Sequence, residues 1–293
     1  MNFRKSMIAA MSGAAALAMA AGASDAADLE QVVHDPAWAA TIQSGYQWSD
    51  ISDFPVDLEG FFGEAAVLRN FGGGLNVQGD FAFYNHDFTG KGSGKSVDAW
   101  HSGGILFWRD SNMGLFGIDA AFGQNDLIFG LEVDTFRVGG RGEFFVNDMI
   151  TLGGGIGYHN LDLDFAGKTI DGLNANVFAN FYVTEQLAVK GKFDYAGFDI
   201  SNTGGKSFDA ISFTGEVEYL LSEITGTNTS IFAGGRYTEY DFSDGGGNLE
   251  IAQGFVGVRH YFVTGGSLAN NHRTNTLDNT NTILEKAPFP GFF

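Results

Sequence analysis

Three histidines of this chain stand beside groups that could share chemistry with them: His159 near Asp162 and Asp164, His86 next to Asp87, and His101 next to Ser102. A histidine within hydrogen-bond reach of a carboxylate or hydroxyl can take a proton from a nucleophile or a water, which is the outline of a hydrolase. Each pairing rests on proximity along the chain alone, and adjacent residues of a strand point to opposite faces. The chain therefore reads as non-enzymatic, with no catalytic residues assigned and a hydrolase kept as a third alternative.

Metal and nucleotide chemistry are no better supported. Asp162, Asp164 and the loop around Asp241, Asp244 and Gly245–Gly247 are acidic, but no D-x-D-x-D-G spacing is complete. The absence of cysteine removes disulfides, thiolate catalysis and cysteine-ligated zinc together. The GGGIGYH run contains Gly153–Gly155, yet a strand continues through it and no helix follows, so it does not cradle phosphate. Its glycines permit strand bending or the close approach of a neighbouring side chain. No metal and no other cofactor is expected.

The 293 residues carry 16 Lys+Arg against 35 Asp+Glu, for a net charge of −19. That balance argues against nucleic acid, whose phosphates need a clustered basic face. With 43 Gly and 29 Phe, 44% hydrophobic residues and only 17% charged, the composition is neither collagen-like nor that of a disordered acidic tail.

The elements that position these residues read as strands. Leu173, Ala175, Val177, Ala179, Phe181 and Val183 form one apolar face against Asn174, Asn176 and Asn180. Leu187, Val189, Phe193 and Tyr195 oppose Lys190, Lys192 and Asp194, and Ile211, Phe213, Val217 and Tyr219 oppose Ser212, Glu216 and Glu218. Such period-two runs mark two-faced strands, and at about 9 to 11 residues they match a tilted transmembrane strand. Residues 1–23 supply an export signal: Arg4 and Lys5, the apolar run Met7 to Ala20, and small residues at Ala21, Gly22 and Ala23. No later stretch is long and apolar enough for a transmembrane helix, so a membrane form must be a closed barrel.

Turn lengths favour that barrel over a soluble sandwich. Tight connectors at Asp110–Asn112, Asn147–Asp148 and Thr184–Gln186 alternate with longer ones at Thr89–Lys95, Ser201–Lys206 and Ser243–Gly247, as short periplasmic turns alternate with outer loops. Aromatics gather at two levels, with Phe107, Trp108, Phe144, Phe145, Phe181, Tyr182 and Tyr219 near the short turns and Tyr158, Tyr195 and Tyr237 one strand length away. They read as interfacial girdles. The fold class is all-β, a transmembrane antiparallel up-and-down β-barrel of about twelve strands, with ten as the alternative because residues 53–68 alternate poorly and could lie in the lumen. The domains are a signal peptide at 1–23, the barrel at 24–262, and a periplasmic or lumenal extension at 263–293.

The segment GFVGVRHYF at 254–262 has the form of a barrel's final strand, with Phe262 as the closing aromatic, Val258 and Val256 in phase, and His260 as a departure suited to an interfacial level. LNVQGDFAFY, HSGGILFWRDSNMGLFGIDAAF and FRVGGRGEFFVNDMITLGGGIGYH resemble uncharacterised porin-like outer-membrane β-barrel proteins of proteobacteria. The resemblance covers about a third of the chain and implies fold and location, with no catalytic residues to carry over.

With the apolar face toward lipid, the lumen-lining charges are Asp80, Arg137, Arg141, Glu143, Lys190, Lys192, Asp194, Glu216, Glu218, Arg236 and Arg259. Counting from the turns sets Lys190 level with Glu218 and Lys192 level with Glu216. Phe178, Tyr182, Phe198 and Tyr240 also point inward. The function this implies is a small porin-like diffusion channel for small solutes, filtered by a charged constriction. The alternative is a non-conducting structural or surface-adhesion barrel. The expected partners are outer-membrane lipid, lipopolysaccharide and the barrel assembly machinery through the final strand, with no nucleic acid.

Overall fold

The computed structural model describes residues 36–52, 56–90, 96–126, 132–163, 168–201, 206–243, 247–263 and 266–278. The signal peptide at 1–23 lies outside the described residues, as do Asp164, Asp244 and the end of the chain from 279. Twelve strands follow one another: β1 (Trp38–Ile51), β2 (Val56–Gly72), β3 (Leu75–Gly90), β4 (Ser96–Asp110), β5 (Gly114–Asp126), β6 (Glu132–Asn147), β7 (Ile150–Leu163), β8 (Lys168–Tyr182), β9 (Leu187–Ile200), β10 (Ser207–Leu220), β11 (Thr229–Phe242) and β12 (Asn248–Tyr261). Each pairs antiparallel with the next and β12 pairs with β1, so the sheet closes into a barrel without an edge. The ten-strand alternative fails because the poorly alternating segment is β2, hydrogen-bonded on both sides from Asp57 onward. Its alternation is weak because Gly60, Gly63, Ala65 and Ala66 stand where larger residues would mark the faces.

The described strands run from 13 residues in β5 to 17 in β2, longer than a bilayer requires. About 9 to 11 tilted residues span the hydrocarbon, and the remainder carries the strands beyond it at one end. There Asp57, Glu59, Asp87, Asp98, Asp134, Asp162, Asp199 and Asp209 face outward and exposed. Below this acidic belt the outward face is apolar and exposed, as at Phe81, Ile118, Phe122, Ile156, Leu173, Val177 and Val256. Tyrosine hydroxyls bridge the two zones: Tyr195 donates to Asp209 at 2.9 Å and Tyr158 to Asp171 at 3.3 Å. An apolar body with a polar tip suits that interface. No described helix is long and apolar enough to cross a membrane; the strands cross it.

At the opposite end the connectors are tight where their residues allow it. Gly72, Gly73 and Gly74 turn β2 into β3 with φ of 88°, 61° and 84°, values that a side chain would strain. Asp110 Oδ1 accepts from the Asn112 and Met113 amides, and Asn147 Oδ1 from the Met149 amide. The asymmetry of connector length is incomplete, because β10 and β11 are joined by 221–228, which contain the short helix α1 (Ser222–Thr225). Of the turn-side aromatics, Phe107, Phe145 and Tyr182 are buried inside the barrel, whereas Phe144 and Tyr219 are exposed on its outer face. The near girdle is thus thinner than the sequence suggests, since adjacent residues diverge to opposite faces.

Abundant glycine and phenylalanine have one structural use. Phe62 lies directly across from Gly45, Phe178 from Gly153, Phe232 from Gly257 and Phe255 from Gly234. A Cβ on any of these glycines would collide with the facing ring. Each ring therefore packs onto a neighbour that has no side chain, an aromatic–glycine pairing that fixes register, and Phe62, Phe232 and Phe255 also pack together in a buried cluster with Tyr84.

Candidate functional site

The lumen has three levels. Nearest the acidic belt, inward residues from every strand except β5 form one buried apolar layer, including Ile51, Leu58, Phe88, Val97, Val133, Leu161, Ile170, Phe198, Phe208, Tyr240, Leu249 and Ile251, none more than 7% exposed. Phe198 and Phe208 stack at 5.0 Å between centroids and Tyr240 packs at 6.3 Å from Phe208. Side chains this buried meet one another rather than an aqueous path.

At the opposite mouth the chain folds back after β12. Helix α2 (Leu268–Thr274), capped by the Ser267 hydroxyl accepting from the Asn270 amide, packs inside the strand ends. Leu268 is buried among Tyr182, Ala188, Leu220 and Tyr261. The described residues beyond α2 stay inside: Gln78 grips the Leu277 backbone through both its amide atoms, at 2.7 and 3.0 Å. Arg109 donates to the Asn275 carbonyl at 2.9 Å, Arg141 to the Asp278 carbonyl at 2.8 Å, and Arg273 to the Asn147 and Ile150 carbonyls. Leu277 then joins Leu68, Ile105, Phe107 and Leu115 in an apolar cluster.

Between these levels lies a cavity of about 160 Å3, lined by Gln43, Glu64, Tyr84, Asp119, Arg137, Arg141, Lys190, Lys192, Glu216, Arg236 and Asp278 together with Phe62, Phe178, Phe232 and Phe255. Glu218 sits beside it, fully buried, at the centre of a network: Lys190 Nζ at 2.8 Å, the Arg259 guanidinium, Ser230 Oγ at 2.6 Å, Tyr261 OH at 2.7 Å and His272 Nε2 at 3.1 Å. Glu216 shares both cations, at 3.1 Å from Lys190 and 3.3 Å from Arg259. A buried carboxylate is tolerated when it is paired and hydrogen-bonded to this extent. Burial holds the His272 imidazole, on α2, below its ordinary value of 6.5.

The expected Lys192–Glu216 pair does not form. Lys190 stands directly across from Glu216, and Lys192 across from Thr214. Lys192 instead meets Asp194 of its own strand, at 2.7 Å. Counting depth from the turns ignores the stagger that closing a sheet into a barrel imposes on neighbouring strands. Arg137 pairs with Asp119, and Arg141 lies 3.8 Å from Glu143. Asp80 is buried, and neither of its carboxylate oxygens has a hydrogen-bond partner among the described residues. Phe262 is exposed on the outer face, and its amide donates to the Ala40 carbonyl at 3.0 Å, continuing the β12–β1 seam past the strand's last residue.

The chain-adjacent histidine pairs are split by the sheet. His86, His101 and His159 are buried inside, while Asp87 and Asp162 are exposed outside. Ser102 donates to the Asp80 carbonyl rather than to His101. His86 bonds Gln47 and stacks on Tyr84. Among the described residues no three metal-ligating side chains converge. Glu64, Asp119, Arg109, Gln78 and Arg273 also face the interior and were absent from the set read from sequence; for Asp119 and Arg109 the alternation of their strands is the signal that finds them.

A closed antiparallel barrel with an apolar outward band, an interfacial tyrosine level and a polar interior is an outer-membrane β-barrel. The similarity to one solved outer-membrane channel agrees with that fold. No protein-family model matches the sequence, and no curated protein does. Among solved structures, an outer-membrane channel of the COG4313 group from Pseudomonas putida F1 is similar with a TM-score of 0.58 at 10% identity, over 82% of this chain and 100% of that one. The β domain of the Bordetella autotransporter BrkA is similar with a TM-score of 0.48 at 12% identity, over 78% of this chain and 100% of that one. A KdgM porin has a TM-score of 0.41 at 11% identity, over 76% of this chain and 99% of that one.

Proposed function

We propose that the protein is an outer-membrane channel for small solutes, closed at both mouths in this structure. One observation carries the reading: a cavity with charged walls is kept open in a lumen whose two ends are filled. A barrel needed only as a wall has no use for buried cations around free space, since filling that space with apolar side chains costs less than desolvating charge. A charged lumen of this kind selects solutes by charge, and the protein carries no catalytic role on this reading. Its lipid face meets outer-membrane lipid and lipopolysaccharide, and its last strand engages the barrel assembly machinery.

A non-conducting barrel, structural or adhesive, is the second reading, and the continuous apolar layer favours it. Planar-bilayer recordings separate the two. The full chain is compared with a variant that lacks residues 263–293 and carries Phe198→Ala and Phe208→Ala, both checked for folding by heat-modifiable migration. A channel gives a quiet full chain and discrete steps from the variant. A folded variant that stays silent retires the channel.

A further inference from the structure

We infer that the cavity is a binding site for a small organic anion, a carboxylate carried on an apolar or aromatic body, with Arg236 as its anchor. The inference names the solute class of the proposed channel; it rests on that reading for the solute's route, while the site itself stands on the geometry of the wall.

Arg236 is the exception among the cations around the cavity. Arg137, Lys190, Lys192 and Arg259 each have a carboxylate within ion-pair distance, and Arg141 has Glu143 at 3.8 Å. Among the described residues Arg236 has none. Its Nε donates to Thr214 Oγ1 at 3.0 Å and its Nη1 to Gln253 Oε1 at 3.2 Å, both neutral acceptors. A guanidinium has five N–H donors in a fixed fork, so three remain for an acceptor in the cavity that Arg236 lines. The fork matches the two oxygens of a carboxylate, and a charge-assisted pair of that kind is about twice as strong as a neutral hydrogen bond.

The surroundings reinforce the sign. Thr214 is flanked across the sheet by Lys192 on β9 and Arg236 on β11, so two cations share one level of the wall, and the nearby Asp194 carboxylate pairs with Lys192. Three of the four acids lining the cavity are engaged elsewhere, Glu216 by Lys190 and Arg259, Asp119 by Arg137, and Glu64 by Gln43 and the Tyr84 hydroxyl, while the fourth, Asp278, is an electrostatic neighbour of Lys190 and Arg259.

The remainder of the wall sets the size and polarity of the ligand. Phe62, Phe178, Phe232 and Phe255 line the cavity. Its volume, about 160 Å3, is close to the roughly 150 Å3 that accommodates benzene in an engineered cavity. Inorganic phosphate would satisfy the charge and waste the aromatic wall; a benzoate-sized carboxylate uses both.

The test uses the full chain refolded in the presence of the probe, so that access through the closed mouths does not limit binding. Binding of para-fluorobenzoate, para-fluorobenzylamine and inorganic phosphate is measured, the first two by fluorine NMR and the third by calorimetry. The fluorobenzoate is expected to bind at least tenfold more tightly than either of the others. Arg236→Gln should lose at least tenfold and Arg236→Lys retain part of the affinity, with heat-modifiable migration unchanged in both. No binding of fluorobenzoate, equal binding of the amine, or unaltered affinity in a folded Arg236→Gln barrel would overturn the inference. Failure here beside a conducting opened variant would leave the channel reading intact. Binding beside a silent opened variant would keep the site and remove the channel.

Discussion

The outer and middle levels of the lumen are built from the same residue type and do opposite things with it. In the outer level Phe198 and Phe208 stack on each other within a layer that almost every strand supplies, and the lumen is shut. In the middle level Phe178, Phe232 and Phe255 lie on glycines of the adjoining strand, and the lumen stays open beside paired charges. A facing glycine does not by itself decide the outcome, since Phe198 also lies across from Gly172; the outer level shuts because its neighbours on almost every strand are apolar as well. The ion pairs described above lie at the middle level and beside the C-terminal plug.

The contrast can be broken by substitution. Phe208→Ala removes a fully packed ring and should cost about 3–5 kcal/mol. Phe178→Ala, whose ring is half-exposed on the cavity, should cost less than half as much. Urea titration of the folded barrel reads both, and equal losses would erase the distinction between the levels. Among the charges, Glu218→Gln leaves Lys190 and Arg259 short of a buried partner and should destabilise by about 3 kcal/mol or more, whereas Lys192→Gln, in a partly exposed pair, should cost about 1 kcal/mol or less.

Smaller effects belong to the C-terminal plug. Gln78→Ala loses two hydrogen bonds to the Leu277 backbone, worth about 1–3 kcal/mol together. It should make residues 266–278 cleavable by protease while the barrel resists. The smallest effect is on pH. His272 is held below 6.5 on docking, beside Glu218, Lys190, Tyr261 and Tyr182, so the undocked segment binds the proton more readily. Docking is therefore full above about 6.5 and weakens as pH falls through that value. Tail proteolysis should rise between about pH 7.5 and pH 5.5, and His272→Gln should flatten the rise.

Strand number, closure and facing were legible because a period of two survives any neighbour. Leu173, Val177, Ile211 and Phe213 could only be outward if the intervening asparagines and glutamates were inward. Depth was not legible: the register of β9 on β10 depends on stagger set by the whole barrel, so Lys190 rather than Lys192 meets Glu216. The outer layer was also hidden, because Leu58, Val97, Val133 and Ile170 belong to separate strands and become one surface only after closure. Arg236 was visible as an inward cation, but its lack of a carboxylate was not, since partners across strands carry no sequence spacing.

In the proposed channel the outer apolar layer separates the charged, open cavity from the cell's surroundings. The chain has no cysteine, so single cysteines report cleanly. Lys192→Cys places a thiol in the cavity, and Asn248→Cys places an exposed control at the outer strand end. A small, charged, membrane-impermeant thiol reagent is added to intact cells displaying each barrel. The prediction is rapid labelling of Asn248→Cys, no labelling of Lys192→Cys, and labelling of Lys192→Cys once Phe198→Ala and Phe208→Ala are added. Labelling of Lys192→Cys at the control's rate with the layer intact would contradict it.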